Sequence, residues 1–175
     1  WCNSNADEVE LFLNEKSLGK KVMPRNGHLE WDVVYEPGKL EAIGLKNGKT
    51  IRTAVETTDK AYQIVLTPDR KTINADGNDV SVINVTVLDS KGREIPDAMN
   101  LIQFTLAGEA RILGVGNGDP SSHEADNCLD GNWKRSLFNG KCQIILQSPE
   151  KEGEFALTAS SEGMKSATAT IIIKK

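Results

Sequence analysis

Aromatic side chains make up only 5% of this sequence, and histidine occurs twice, at His28 and His123. Cysteine is nearly as scarce: Cys2, Cys128 and Cys142 are an odd number without CxxC spacing, which fits neither a zinc site nor a disulfide framework. Ordinary thiols are the favoured reading, and a Cys128–Cys142 bridge stays open at this stage. Apolar runs are short; Ile171–Ile173 is strand-sized against the roughly 20 residues needed to span a bilayer, so no membrane partner is expected. Charge of one sign is lacking too. Twenty-one basic against 25 acidic residues leave a net charge of −4, too weak and scattered for a nucleic-acid binder. What is present is 38% hydrophobic and 26% charged residues, a globular composition, in a length of 175 that accommodates one large or two small domains. The sequence opens on Trp1-Cys2 without a basic leader or small-residue cleavage site, which reads as a piece of a longer chain.

Helical signals are also missing: no segment sustains a 3.6-residue apolar period, and capped helix starts are absent. Period-two alternation takes their place. Glu8–Leu13 alternates, Asn14-Glu15-Lys16 turns, and residues 18–22 return antiparallel before Pro24-Arg25-Asn26-Gly27 breaks the chain. Residues 28–33 alternate again and read as a strand; Pro37-Gly38 marks a turn, and residues 40–45 and 51–55 flank the hairpin signal Asn47-Gly48. The polar stretch Thr57-Thr58-Asp59-Lys60 then separates a first unit, residues 1–58, from a second, residues 61–175. In the second unit the strongest strand is residues 80–88, whose apolar positions 80, 82, 85 and 87 change face midway and predict a bulge. Further strands are expected at 64–66, 101–106, 111–115, 143–146, 155–159 and 167–173, about seven short strands in the pattern of an immunoglobulin-like fold. The expected class is all-β, two immunoglobulin-like β-sandwich domains in tandem.

One polar loop, from Gly116 to about Ser136, is long enough to be functional or mobile, with Trp133 as its one large apolar anchor. A sugar site without catalysis needs an aromatic platform beside hydrogen-bonding groups, and Asp119, His123 and Trp133 are the candidate carbohydrate-binding set; interdomain or core packing is the other reading of Trp133. The carboxylate pairs Glu8/Glu10, Glu150/Glu152 and Asp76/Asp79 read as solvated faces or turns, and neither histidine sits in a Ser or Cys context suited to acyl transfer. Asn117-Gly118-Asp119 lacks the acidic alternation of a calcium loop, so no metal and no cofactor is expected.

Longer strings then carry a resemblance. Asn5–Asn14, Lys16-Ser17-Leu18-Gly19 and Leu29-Glu30-Trp31 resemble the module that follows the catalytic barrel in many bacterial β-galactosidases of glycoside hydrolase family 2. Leu66-Thr67-Pro68-Asp69-Arg70, Ala75-Asp76-Gly77, the run Gly114–Pro120 and Phe138-Asn139-Gly140 are similar to the final domain of the same enzymes. The resemblance implies a multidomain enzyme with a sugar-binding domain and a (β/α)₈ barrel upstream. The partners of this chain would then be those upstream domains, and its compartment secreted or periplasmic. A retaining glycosidase uses two carboxyl groups about 5–5.5 Å apart, and in the family both belong to the barrel, so no catalytic residue is expected here. The implied role is a structural accessory; a carbohydrate-binding module and an adhesive sandwich are the alternatives. Two departures stand out. Glu15 replaces the Gly of the family's Asn-Gly-Lys turn, which suggests a different turn geometry, and an insertion containing Cys128 lengthens the loop.

Overall fold

The structure, a computed structural model, describes residues 1–175 and contains thirteen strands and no helix. Two compact units divide it, Trp1–Thr57 and Thr58–Lys175.

The first unit is one antiparallel sheet ordered β2-β1-β3-β4, from β1 (Glu8–Leu13), β2 (Lys16–Val22), β3 (Lys39–Lys46) and β4 (Lys49–Glu56). Strand pairing puts Val9, Leu11 and Leu13 on one face with Leu40 and Ala42 of β3 and with Ile51 and Val55 of β4. The opposite face carries ion pairs, Lys20–Glu8 at 2.8 Å and Lys39–Glu41 at 2.9 Å, interspersed with Phe12, Val22, Ile43 and Leu45. Residues 28–33, expected as a strand, form only a single bridge: Cys2 and Leu29 exchange backbone hydrogen bonds at 2.8 and 3.0 Å. The alternation there serves a cover instead of a ladder. Leu29 is buried, and it packs with Trp31, Cys2 and Met23 around Val9 and Ala42. The Asn14-Glu15 turn is a second correction. Both residues have positive φ, 48° and 67°, the left-handed pair that an Asn-Gly hairpin turn uses, so the geometry stays and Glu15 carries its strain.

The second unit packs two sheets. One is β5-β7-β11-β9, from β5 (Gln63–Pro68), β7 (Val80–Leu88), β11 (Lys141–Gln147) and β9 (Arg111–Gly116). The other is β10-β8-β12-β13-β6, from β10 (Lys134–Ser136), β8 (Leu101–Ala107), β12 (Gly153–Ser160), β13 (Ala167–Lys174) and β6 (Thr72–Asn74). Ile83, Val85, Val87 and Ile144 from the first meet Ile102, Leu157, Phe155 and Ile171 from the second in a single apolar core. The predicted bulge in β7 is absent: residues 80–86 pair one for one with Gln147 through Lys141. The inward face is Ser81, Ile83, Val85 and Val87, whereas Val80 and Val82 lie half-buried on the other. A serine can hold the inward position because its hydroxyl donates to Arg70 O at 2.9 Å and lies 3.1 Å from Asp69 Oδ1. Sequence periodicity misses that substitution of polar for apolar, and it also misses β6, which pairs in parallel with β13, and the three-residue β10.

Candidate functional site

The long loop runs from the end of β9, at the edge of one sheet, to β10, at the edge of the other. Beside Trp133, which packs against the core, polar groups anchor it. Arg135 of β10 is buried, and its guanidinium donates to Glu124 O at 2.9 Å and to the Asp126 carboxylate. The Glu124 carboxylate in turn accepts from the Ser136 hydroxyl and, at 2.8 Å, from Ser136 N–H. Val115 N–H donates to Asp126 O at 2.9 Å, and the Asn117 amide donates to Ser136 O at 2.8 Å. Charged and backbone groups thus stitch both limbs of the loop to the two edge strands.

The structure does not bring Asp119, His123 and Trp133 together. Asp119 lines a cleft of ≈ 420 Å³ with Asn117, Ser122, Arg135 and Gln143. Its Oδ1 accepts from the Ser121 hydroxyl at 2.7 Å and from Ser121 N–H at 2.8 Å. Those two bonds hold the carboxyl below the usual aspartate range and occupy the oxygen in shaping the turn. His123 is exposed and lines neither cleft described here, though it is near enough to Asp119 to favour its charged form. Trp133 lies apart, half-buried against the core in a separate, larger cleft of ≈ 920 Å³. Backbone bonds fix its position: Trp133 O accepts from Phe104 N–H at 2.8 Å and Trp133 N–H donates to Gly131 O at 3.1 Å.

Apart from Asn132, the polar residues of this larger cleft come from distant stretches of sequence, Gln103 and Thr105 on β8, Arg111 on β9, Asn127 in the loop and Lys134 on β10. Sequence reading missed all five. Along the chain they are unremarkable exposed positions, and only the pairing of β8 with β10 and the return of the loop bring them into the lining of one cleft.

A general acid needs a carboxyl held above its ordinary pKa. Every carboxyl in this chain that departs clearly from the ordinary range departs downward. Burial pushes Asp69, Asp89 and Glu124 up, but hydrogen bonds from backbone N–H groups and side chains more than reverse it. These carboxylates stay charged to accept structural hydrogen bonds. All three cysteines are free thiols, and burial pushes that of Cys142 up to about 12, which leaves it inert as a nucleophile.

Two family models match separate stretches of the chain. Residues 64–170 match the glycoside hydrolase family 2 C-terminal domain 5, and residues 1–52 match a domain of unknown function, DUF4982. The β-galactosidase BoGH2A of Bacteroides ovatus is 44% identical over 174 residues, covering 98% of this chain and 20% of that protein. A β-glucuronidase of Formosa agariphila is 31% identical over 178 residues, covering 98% of this chain and 17% of its own length. The crystal structure of a glycosyl hydrolase family 2 member from Bacteroides cellulosilyticus superposes with a TM-score of 0.88 at 35% identity, covering 98% of this chain and 22% of that one. The chain therefore spans about a fifth of the length of the relatives it matches.

Proposed function

The chain belongs to glycoside hydrolase family 2 through its C-terminal domain 5, and on that premise we propose that it is a non-catalytic accessory part of a β-galactosidase-type enzyme that buttresses the catalytic barrel. The observation that carries the reading is the apolar face of the first unit. Its cover of Leu29, Trp31, Met23 and Cys2 reaches Val9 and Ala42, while on β4 Ile51 is 50% and Val55 67% exposed. Val34 and Tyr35 nearby in sequence to β3 are 83% and 74% exposed. A small domain that leaves large apolar side chains such as Ile51 and Val55 in water beside so small a core has the surface of a module that packs against a neighbour. The downward-held carboxylates support the non-catalytic half of the proposal, since none offers the raised pKa of a glycosidase acid.

The upstream domains of the same polypeptide are the proposed partners, and a compartment outside the cytoplasm, secreted or periplasmic, is the proposed location. The test is made in the full-length enzyme that carries this chain. Ile51→Asp with Val55→Asp should lower the unfolding temperature of the whole enzyme while leaving turnover per folded molecule unchanged. The isolated chain should hydrolyse nitrophenyl galactoside no faster than buffer. An unchanged unfolding temperature in the double variant, or hydrolysis by the pure chain, refutes the reading.

A further inference from the structure

Independently of the buttressing role, the first unit carries a site of covalent change. Four Asn-Gly pairs occur in the sequence, beginning at Asn26, Asn47, Asn117 and Asn139. We propose that Asn47-Gly48, at the tip of the β3–β4 hairpin, is the pair that deamidates fastest in the folded chain, leaving aspartate or isoaspartate at position 47.

The backbone nitrogen of the residue after an asparagine gives up its proton and attacks the asparagine Cγ. The new N–Cγ bond forms, the Cγ–Nδ2 bond breaks, and the side-chain nitrogen leaves as ammonia. Water then opens the cyclic imide at one of its two carbonyls, giving aspartate, or isoaspartate with the chain routed through the side chain. Water is the only co-reactant, and nothing is oxidised or reduced. Glycine is the most permissive follower because it has no Cβ to crowd the attacking nitrogen. Structure then slows the step in two ways: by committing that N–H to an acceptor, or by holding the asparagine carboxamide in bonds of its own.

The four pairs differ on both counts. The Asn117 carboxamide is held at both ends: it donates to Ser136 O at 2.8 Å, and its Oδ1 accepts from Asp119 N–H at 3.1 Å. Gly140, after Asn139, is buried and donates its N–H to Ala98 O at 2.9 Å, with Ile95 O only 2.0 Å from where a Cβ would sit. Gly27, after Asn26, donates to Pro24 O at 3.3 Å and lies against the Pro24 ring. At the hairpin tip neither restraint exists. Asn47 and Gly48 are both exposed, nothing lies within 4 Å of the Gly48 Cβ position, and neither the Asn47 carboxamide nor the Gly48 N–H makes a hydrogen bond. The product also strains its surroundings. Isoaspartate adds a backbone atom to a two-residue turn closed by Lys46 opposite Lys49, and either product adds a negative charge beside Asp7, whose Oδ2 accepts from Asn47 N–H at 3.0 Å. Conversion therefore loosens the hairpin that carries β4.

Cleavage after glutamate separates the four pairs into peptides 16–30, 42–56, 110–124 and 125–150, so mass spectrometry of the full chain aged at mildly alkaline pH reads each site, with fragmentation placing the change within the last peptide. Asn47 should convert about tenfold or more faster than Asn117 and Asn139, which react only through local opening, and faster than Asn26. In urea, where the local sequence alone acts, the four rates should converge. Asn47→Gln should abolish conversion in peptide 42–56 and leave the other three peptides as they were. The aged Asn47→Gln chain should also keep the slow amide exchange of β4 that the aged native chain loses. Conversion of Asn26, Asn117 or Asn139 as fast as Asn47 in the folded chain, a ranking that persists unchanged in urea, or equal β4 exchange in the two aged chains overturns the proposal.

Discussion

The side-chain amide of Asn14 fills the space that a Cβ on Gly38 would need: Asn14 Oδ1 lies 1.8 Å from that position. The amide donates to Pro37 O at 3.1 Å, and its Oδ1 accepts from Lys39 N–H at 2.8 Å, so the β1–β2 turn clamps the chain where it enters β3. Gly38 has a φ of 140°, which only glycine adopts without strain. Gly38→Ala should therefore destabilise the first unit by roughly 2–3 kcal/mol in denaturant melts. The cost should shrink by about 1 kcal/mol in an Asn14→Ala background, where the clash is gone and only the backbone strain persists. Equal costs in both backgrounds would show that the two residues do not interact.

At the neighbouring position the expected change has the opposite sign. Glu15 occupies a left-handed backbone conformation at φ 67° with its side chain in solvent. Glu15→Gly removes that strain at the price of some unfolded-state entropy, and should stabilise the first unit by about 0.5–1 kcal/mol in the same melts.

Asp89 is fully buried in the turn that follows β7, where its carboxylate accepts from Asp59 N–H at 3.0 Å, Arg93 Nε at 2.7 Å, and Lys91 and Arg93 N–H at 2.9 Å each. Burial favours the neutral acid, but these donors outweigh it and hold the pKa well below the ordinary 3.8. A carboxyl depressed in the folded state contributes its stability above the unfolded pKa and loses it as pH falls. Unfolding followed from pH 7 to pH 2 should thus show stability dropping below about pH 4. Asp89→Asn should flatten that drop, and should lower the unfolding temperature at pH 7 by on the order of 10 °C. A parallel pH profile in the variant would mean that other carboxylates carry the effect.

Arg135 provides a test of how the long loop is held. Arg135→Ala removes the donor to Glu124 O and to the Asp126 carboxylate while leaving the strand pairing of β10 with β8 in place. Hydrogen exchange at the Val115 and Ser136 amides, which donate to Asp126 O and Glu124 Oε2, should accelerate about tenfold or more. Unaltered exchange at both would assign the anchoring to Trp133 and the apolar contacts instead.

The all-β class and the hairpins at Asn14-Glu15 and Asn47-Gly48 were legible in the residues, because turn chemistry and period-two alternation act over a few neighbouring positions; the glycoside hydrolase family was legible only through the resemblance of longer strings such as Gly114–Pro120. What local pattern could not carry was decided by contacts between distant residues. Ser81 faces the core because Asp69 and Arg70, on another segment, satisfy its hydroxyl; the apolar alternation of β7 alone pointed to a bulge that does not exist. Residues 28–33 alternate like a strand but have only Cys2 as a ladder partner, so they became a cover. The candidate site shows the same division. Asp119 and Trp133 share a loop in sequence yet line different clefts, whereas Gln103, Arg111 and Lys134 lie on three strands and line one cleft with Trp133. Adjacency along the chain is written in the sequence. Adjacency across a sandwich follows from strand order and register, which the whole core selects at once.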